Sequence, residues 1–448
     1  MRKTGISRRT VLGVAGAAAS FMIVPRRVVA GAREIPPSEK INLALIGLGW
    51  PGRKDVDALA GENIVALCDV DTRRELDWRK KYPGAKQFVD YRKMYDEMDR
   101  GIDAVIVATP DHTHAVLAVG AMKRGKHVYC EKPLAHSIWE VREMMKAARE
   151  NKVITQMGNQ GHSSDSIRML CEWIWDGAIG NVHTIHAGCS ISNTGMDRLA
   201  EIQKRPPVPE NLNWDLWLGP AAERPYSPVY LHESWRGWSP FGDGTLGDWL
   251  CHVVDPVFWA LDLGAPATVQ AEVKDWDPKT QGDVFPRGEV VTYEFLAKGT
   301  RGPVKMKWFT GVERIPRPEM LEEGRKPVDT GAIVFGDKGA IMYGSHGAGG
   351  VRVIPEAKMK AYKQPEKKIP RVPGGGHERD WANAIRSGKP AGSDFSYGGP
   401  LTEIALAGLI AVKLKGTKLE WHAEKMEFAN SAGANALVKP NYREGWKL

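Results

Sequence analysis

The feature that most constrains the fold is the hexapeptide Gly47-Leu48-Gly49-Trp50-Pro51-Gly52. It follows directly on a short apolar run, residues 41–46, and Pro51 stands where a first helical turn tolerates a residue without an N–H. A buried strand, a tight turn and a helix are therefore expected in that order. In a G-x-G-x-x-G segment the first glycine permits the turn, the second lets the backbone approach a pyrophosphate, and the third lets helix and strand pack closely. The free N–H groups and positive dipole end of the following helix then favour an anion. The hexapeptide alone is a weak signal, and its place between strand and helix is what strengthens it.

The next apolar run, residues 64–68, ends at Asp69, the acid expected about 20 residues beyond the glycines. A carboxylate there accepts from a ribose 2′-hydroxyl and repels a 2′-phosphate. The expected cofactor is NAD rather than NADP, a preference weakened by Arg73 and Arg74 nearby. Without a ligand, the same glycines would only make a tight strand–helix turn.

Strands and helices continue to alternate. Further strands are expected at residues 103–108, 127–130 and 153–157, with helices at 72–81, 91–98, 112–123 and 137–150. That rhythm calls for a doubly wound parallel sheet of Rossmann type. After residue 158 it changes. A helix at 164–176 leads to a strand at 182–190. A long loop rich in Pro, Asn and Trp follows to about 240, then a helix at 246–261, strands at 268–276, 289–295, 304–309 and 332–335, and helices at 377–386 and 401–413. Grouped strands imply an α+β domain with a largely antiparallel sheet. The expected organisation is thus a leader at 1–32, a linker at 33–40, an NAD-binding domain at 41–158 and a substrate-binding, oligomerising domain at 159–448.

The net charge of +8 would invite an acidic partner, but six of the 62 basic residues lie in the first 32 positions. The remainder, 56 against 54 acids, does not read as a nucleic-acid-binding surface. The first 32 residues carry Arg8-Arg9, a mildly apolar stretch and Ala30-Gly31-Ala32, and contain no acid. They resemble a twin-arginine export signal, a route that carries folded proteins; a disordered basic tail is the plainer alternative. Periplasmic or other extracytoplasmic location, the export machinery as a partner, and a processed chain that does not span the membrane are the expectations. The five cysteines form no C-x-x-C pair, so neither a disulfide framework nor a zinc site is expected.

Two further segments, Thr109-Pro110-Asp111-His112-Thr113-His114 and Glu131-Lys132-Pro133-Leu134, each follow a strand. With the glycine motif they resemble the Gfo/Idh/MocA oxidoreductase superfamily, strongly over residues 41 to about 160 and more loosely through residues 242–252. The leader and residues 156–162 resemble an exported bacterial branch. The resemblance places Gly47, Leu48, Gly49, Trp50, Gly52, Asp69, Thr109, Pro110, His114, Glu131 and Lys132 around the dinucleotide. It also implies a homo-oligomer formed through the second domain.

Oxidising a secondary alcohol needs a hydride acceptor, a base and a positive group to steady the alkoxide. Lys132, at the carboxyl end of a strand and fixed by Pro133, can hold the substrate oxygen. Asp248 and His252 lie four apart on an expected helix, so they share a face, and the carboxylate can orient the imidazole and raise its basicity. The resemblance implies His252 as general acid/base with Lys132 and Asp248 assisting; a helix cap and a core histidine are the plain alternative. Trp214, Trp217, Trp235, Trp238 and Trp249 flank that helix and suit either sugar stacking or loop packing.

The functional expectation is an oxidoreductase acting on the CH–OH group of a sugar, polyol or sugar derivative, with tightly bound NAD. An exported enzyme has little free NAD around it, which favours a redox-neutral reaction: epimerisation, or glycoside hydrolysis through a keto-sugar. A non-catalytic dinucleotide-binding protein would need none of Lys132, Asp248 and His252.

Overall fold

The computed structural model describes residues 35–448, and the expected twin-arginine leader lies outside the described residues. Residues 35–40 hold one short 3-10 turn, Pro37–Glu39.

From Ile41 onward the first sheet contains β1 (Asn42–Ile46), β2 (Asn63–Cys68), β3 (Lys86–Phe88), β4 (Ala104–Val107), β5 (His127–Cys130) and β6 (Thr155–Met157), in the order β3-β2-β1-β4-β5-β6. Every pairing in it is parallel. The side chains of β1 alternate between two cores. Ala44 and Ile46 join the one covered by α3 (Tyr91–Met98), α4 (His114–Met122) and α5 (Ile138–Asn151). Leu43 and Leu45 join the one covered by α1 (Trp50–Ala58) and α2 (Glu75–Lys81). A strand buried on both faces has to be apolar throughout, which is why the run at 41–46 reads as it does. The strand order reverses between β1 and β4, and the crevice at their carboxyl ends is where ligands bind in open α/β sheets.

The second sheet has nine strands: β7 (Val182–Cys189), β8 (Thr268–Val273), β9 (Glu289–Phe295), β10 (Val304–Thr310), β11 (Thr330–Gly336), β12 (Gly339–Gly344), β13 (Arg352–Ile354), β14 (Leu419–His422) and β15 (Glu427–Phe428). Their order is β13-β12-β11-β7-β10-β9-β8-β14-β15, and all pairs are antiparallel except β7 with β10. The fold is therefore α/β, with a parallel Rossmann sheet and a mostly antiparallel second sheet, as the sequence implies. Strand β3 and strands β12 to β15 were not expected. They are short or glycine-bounded and carry little pattern of their own.

Two helices depart from expectation. The helix expected at 246–261 is broken into α7 (Gly244–Val253) and α8 (Asp255–Leu261), with α6 (Asp165–Trp175) packed against α8. Pro256 lacks the N–H that would continue the ladder and crowds the carbonyl one turn back, so the break falls just before it. His252 is left in the last turn of α7. The helix expected from Leu401 instead begins at Phe395 as α10 (Phe395–Lys413), because the Asp394 side chain accepts from the N–H groups of Ser396 and Tyr397. Pro400 sits inside this helix rather than starting it. Helix α10 is long and apolar enough to cross a bilayer, yet it is buried against α5, α7 and β8.

The chain also returns to its beginning. Helix α9 (His377–Ser387) lays Trp381, Ala382 and Ala384 into the core beneath α1, with Trp381 against Tyr129 at 5.7 Å between ring centroids. The Rossmann sheet thus has one face completed from near the C-terminus. The long loop before residue 240 is ordered by an aromatic core of its own around Trp217, Tyr230, Trp238 and Phe241.

Candidate active site

The glycine segment has the shape its sequence implies. Gly47 has φ +93°, and a Cβ there would lie 2.4 Å from the Ala108 carbonyl oxygen. A Cβ on Gly52 would lie 2.5 Å from the Gly47 oxygen and 3.2 Å from the Ala108 Cβ, so the third glycine sets helix against strand. Gly49 differs: a Cβ there would find nothing nearer than 3.8 Å, and the residue lines a large cleft. No side chain caps the N-terminus of α1. Open backbone and uncapped N–H groups suit a pyrophosphate.

Asp69 lines the same cleft, but its carboxylate also builds the loop. Oδ2 accepts from the Leu48 N–H at 2.8 Å and Oδ1 from the Asp71 N–H at 2.9 Å. Burial raises its pKa, although these bonds oppose the rise. Arg73 is turned away onto Asp71, with bonds of 3.0 and 2.7 Å, whereas Arg74 lines the cleft. Leu48 is buried and the Trp50 ring is 69% exposed, and the structure puts neither of these expected cofactor residues among those lining the cleft.

Lys132 lines the cleft as well. Its Nζ donates to Asp248 Oδ1 at 2.5 Å and to the Asp248 carbonyl at 3.0 Å. The other carboxylate oxygen accepts from Asn193 Nδ2 at 2.9 Å, and Arg236 Nε lies 3.5 Å from Oδ1. Burial opposes the lysine charge, but Asp248 overrides it and the pKa rises. Burial likewise opposes the Asp248 charge, and Lys132 and Arg236 overcome it, so the carboxyl falls below its ordinary value. The pair is ionised.

His252 corrects an expectation. Asp248 does not orient it, because the carboxylate is spent on Lys132, Asn193 and Arg236. Among the described residues nothing hydrogen-bonds to the buried His252 Nδ1. Nor is its basicity raised: burial, then the charge of Lys132 and the neighbouring His346, hold its pKa well below the ordinary value. Its ring stacks on His346 at 4.1 Å and 22°, with Trp249 edge-on to both.

Thr109, Pro110, His114 and Glu131 all line the cleft. His114 presents no free ring nitrogen to it. Nδ1 is 2.9 Å from the Pro133 carbonyl and Nε2 is 2.8 Å from that of Thr109, so this buried ring ties the two loops together. Burial pushes the Glu131 carboxyl up to about 7. Four of the five tryptophans flanking the helix pack the loop: Trp214 stacks on Trp217 at 4.8 Å, and Trp217, Trp235 and Trp238 are buried. Trp249 alone touches His252.

Sequence reasoning missed Asn193, Arg236 and His346. None belongs to a spaced motif, although His346 does sit in the glycine-flanked segment Gly344-Ser345-His346-Gly347. It also missed the part of the long loop. Residues of the long loop, among them Leu212, Trp217 and His232, line the cleft together with Asp69, and so does Trp446. Asn213 N–H bonds to the Val70 carbonyl at 2.9 Å, Asn211 Nδ2 to Asp71 at 2.8 Å, and His112 lies between the Trp217 and Phe241 carbonyls at 3.1 and 3.2 Å.

Fold and site together define a dinucleotide-binding protein of two sheets. Residues 41–159 match the family model described as oxidoreductase family, NAD-binding Rossmann fold, and residues 193–296 match the family's C-terminal alpha/beta domain. Over residues 41–159 and 193–296 the chain carries both domains of the Gfo/Idh/MocA oxidoreductase family, and its cofactor is the NAD of that family's Rossmann domain. It is 25% identical to a levoglucosan dehydrogenase of Pseudarthrobacter phenanthrenivorans over 300 residues, 60% of this chain and 67% of that one. It is 33% identical to an inositol 2-dehydrogenase of Rubrobacter xylanophilus over 148 residues, 32% of this chain and 42% of that one. The chain spans less than half the length of most of the curated relatives it matches. Among solved structures, the WlbA dehydrogenase of Bordetella pertussis in complex with NADH and UDP-GlcNAcA superposes with TM-score 0.58 at 16% identity, over 86% of this chain and 99% of that one. A levoglucosan dehydrogenase in complex with NADH gives 0.56 at 18%, over 85% and 99%. At these identities the structures show a shared fold.

Proposed function

We propose that this chain oxidises or reduces the CH–OH carbon of a sugar, polyol or sugar derivative. The observation that carries this reading is the ionised Lys132–Asp248 pair, 2.5 Å apart, whose lysine lines the dinucleotide cleft, with the buried His252 one helical turn on from Asp248. When bound, the dinucleotide supplies the hydride acceptor. The Lys132 ammonium, held by Asp248, is placed to steady a developing alkoxide. His252, whose pKa is depressed, is neutral at physiological pH and so in the form that accepts the hydroxyl proton. The relatives named as levoglucosan and inositol dehydrogenases support a carbohydrate-type substrate.

The same reading holds that the dinucleotide is NAD rather than NADP and is retained between turnovers. Asp69 supports the first part. The long loop supports the second, since its residues Leu212, Trp217 and His232 line the cleft and hydrogen bonds from Asn211 and Asn213 hold it to the segment after Asp69. Retention is what an exported enzyme needs, and the Arg8-Arg9 leader is read as export through the twin-arginine route. It also favours a redox-neutral cycle on a glycoside or epimerisable sugar, which accords with a relative named as a glycosyl hydrolase family 109 protein.

The test is to denature the purified, processed protein and identify what it releases. NAD at near-equal amount is expected, followed by turnover on a panel of neutral sugars, polyols and glycosides that includes levoglucosan and myo-inositol. An empty protein that consumes added NADP would refute retention and cofactor choice. A protein that binds NAD, turns over none of the panel, and behaves identically after Lys132→Met would return the chain to a non-catalytic role.

A further inference from the structure

A base must present its lone pair in a fixed direction, and a histidine is usually fixed by a hydrogen bond to its second ring nitrogen. His252 has no such bond: Nδ1 is buried without a partner among the described residues, and the nearby carboxylate belongs to Lys132. What touches its ring face is His346, stacked at 4.1 Å with the planes 22° apart. His346 is held with unusual care. Its backbone is left-handed, φ 56° and ψ 54°, a conformation rare for a residue with a Cβ. Gly347 follows at φ +85°, and a Cβ on Gly161 would lie 2.2 Å from the Gly347 nitrogen, so two glycine backbones must meet to let this turn in. Ser164 Oγ donates to the Gly347 carbonyl at 2.8 Å, and the Ser345 hydroxyl lies 2.9 Å from His346 Nδ1. The Trp249 edge closes the third side, 5.6 Å from His346. Strain held by surrounding structure at one residue beside a reactive group is a reason to look for a task.

We propose that His346 is the positioning residue for His252: its ring, presented by the strained turn Ser345–Ala348, fixes the plane of the proton-accepting imidazole and covers the side facing solvent. The inference rests on His252 being the proton acceptor. A stacked ring passes no proton through its face, so His346 orients and covers rather than relays. Other charged or titratable groups acting on this pair are Lys132 and Lys54 on both rings, His377 on His252, and Asp248 on His346.

The experiment is a pH titration of histidine ring signals by NMR in the NAD-bound protein, with ¹³C-labelled histidine and the His252 signal assigned by His252→Asn. In the unaltered protein, cross-relaxation between the His252 and His346 ring protons is expected; its absence overturns the proposal without any variant. His346→Asn keeps a residue that tolerates the left-handed backbone but removes the ring. It should move the His252 titration upward, toward ordinary histidine, and lower kcat about tenfold with KM for the dinucleotide unchanged. His346→Phe, which restores a ring to stack, should return both toward the original. An unmoved His252 titration in His346→Asn, or an equal shift in both variants, overturns the proposal. Since the NMR result needs no turnover, failure to find a substrate counts against the proposed activity and leaves this inference to be decided by the titration.

Discussion

Lys132 Nζ and Asp248 Oδ1 lie 2.5 Å apart, joining the end of a Rossmann strand to a helix 116 residues further along the chain. The pair ties the cofactor-side half of the site to the substrate-side half. Lys132→Met should cut turnover by about 10²-fold or more while leaving NAD binding nearly unchanged, because the ammonium acts on charge that appears only in the transition state. Equilibrium binding of NAD alongside steady-state rates makes this check, and unchanged rates would remove Lys132 from the chemistry.

Gly47 and Gly49 should fail differently. Ala at position 47 meets both φ +93° and a contact of 2.4 Å with Ala108, so it should destabilise the fold by about 1–3 kcal/mol. Ala at 49 meets only ordinary contacts, 3.8 Å to Pro51 Cδ and 3.9 Å to Arg74 Nη1, and should leave the thermal midpoint of the empty protein unmoved. It should nevertheless weaken NAD by tenfold or more, because the added methyl group takes up room where Gly49, Pro51 and Arg74 line the cleft. Thermal melts with and without NAD separate the two.

Buried histidines contribute to both sides of the stability curve. Burial pushes His112 down to about 3 and His377 to about 4, so both stay neutral in the fold while the unfolded chain takes up protons near 6.5. Their share of the stability should therefore fall as pH drops from 6.5 toward 4, by up to about 1.4 kcal/mol per pH unit for each histidine. The buried Glu131 and Glu289 carboxyls, both pushed up to about 7, work in the opposite direction between pH 7 and 4.5. His112→Asn and His377→Asn should therefore each make the acid side of the curve shallower. His136 has the opposite sign. Burial opposes its charge, but Asp243 at 2.8 Å lifts it to about 9. Its contribution is fully present below 6.5 and lost as pH rises through 9. His136→Asn should flatten the alkaline fall in thermal midpoint between pH 6.5 and 9 and leave the acid fall in place.

Trp381 tests the return of the chain. It is fully buried against Tyr129 on the Rossmann sheet, although it lies beyond the second domain's main strands. Trp381→Ala should cost about 3–5 kcal/mol. It should lower the denaturant midpoint of the NAD-binding half as well as that of the whole, read by loss of NAD binding during unfolding.

Much of the first domain was legible because its information is local. Residues 91–98, 127–130 and 289–295 are fixed by period and by their flanking residues, and the structure has them at those bounds. The glycine turn follows from three positions with no Cβ. Asp69, Lys132, Asp248 and His252 could each be singled out from spacing and resemblance. What could not be read was who partners whom. Spacing of four put Asp248 and His252 on one face, but the choice of Asp248 for Lys132 over His252 depends on a strand end arriving from another sheet. His346 was invisible for the same reason: its meaning comes from Gly161, nearly two hundred residues earlier, giving it room. The sequence by itself determined the strand–turn–helix periods, the dinucleotide turn and the residue types the chemistry needs, since these depend on backbone sterics and burial within short stretches. Only the tertiary structure decided the ion pair, the neutral state of His252, the ring stacked on it and the long loop lining the cleft, because charge state and orientation are set by neighbours brought together from distant parts of the chain.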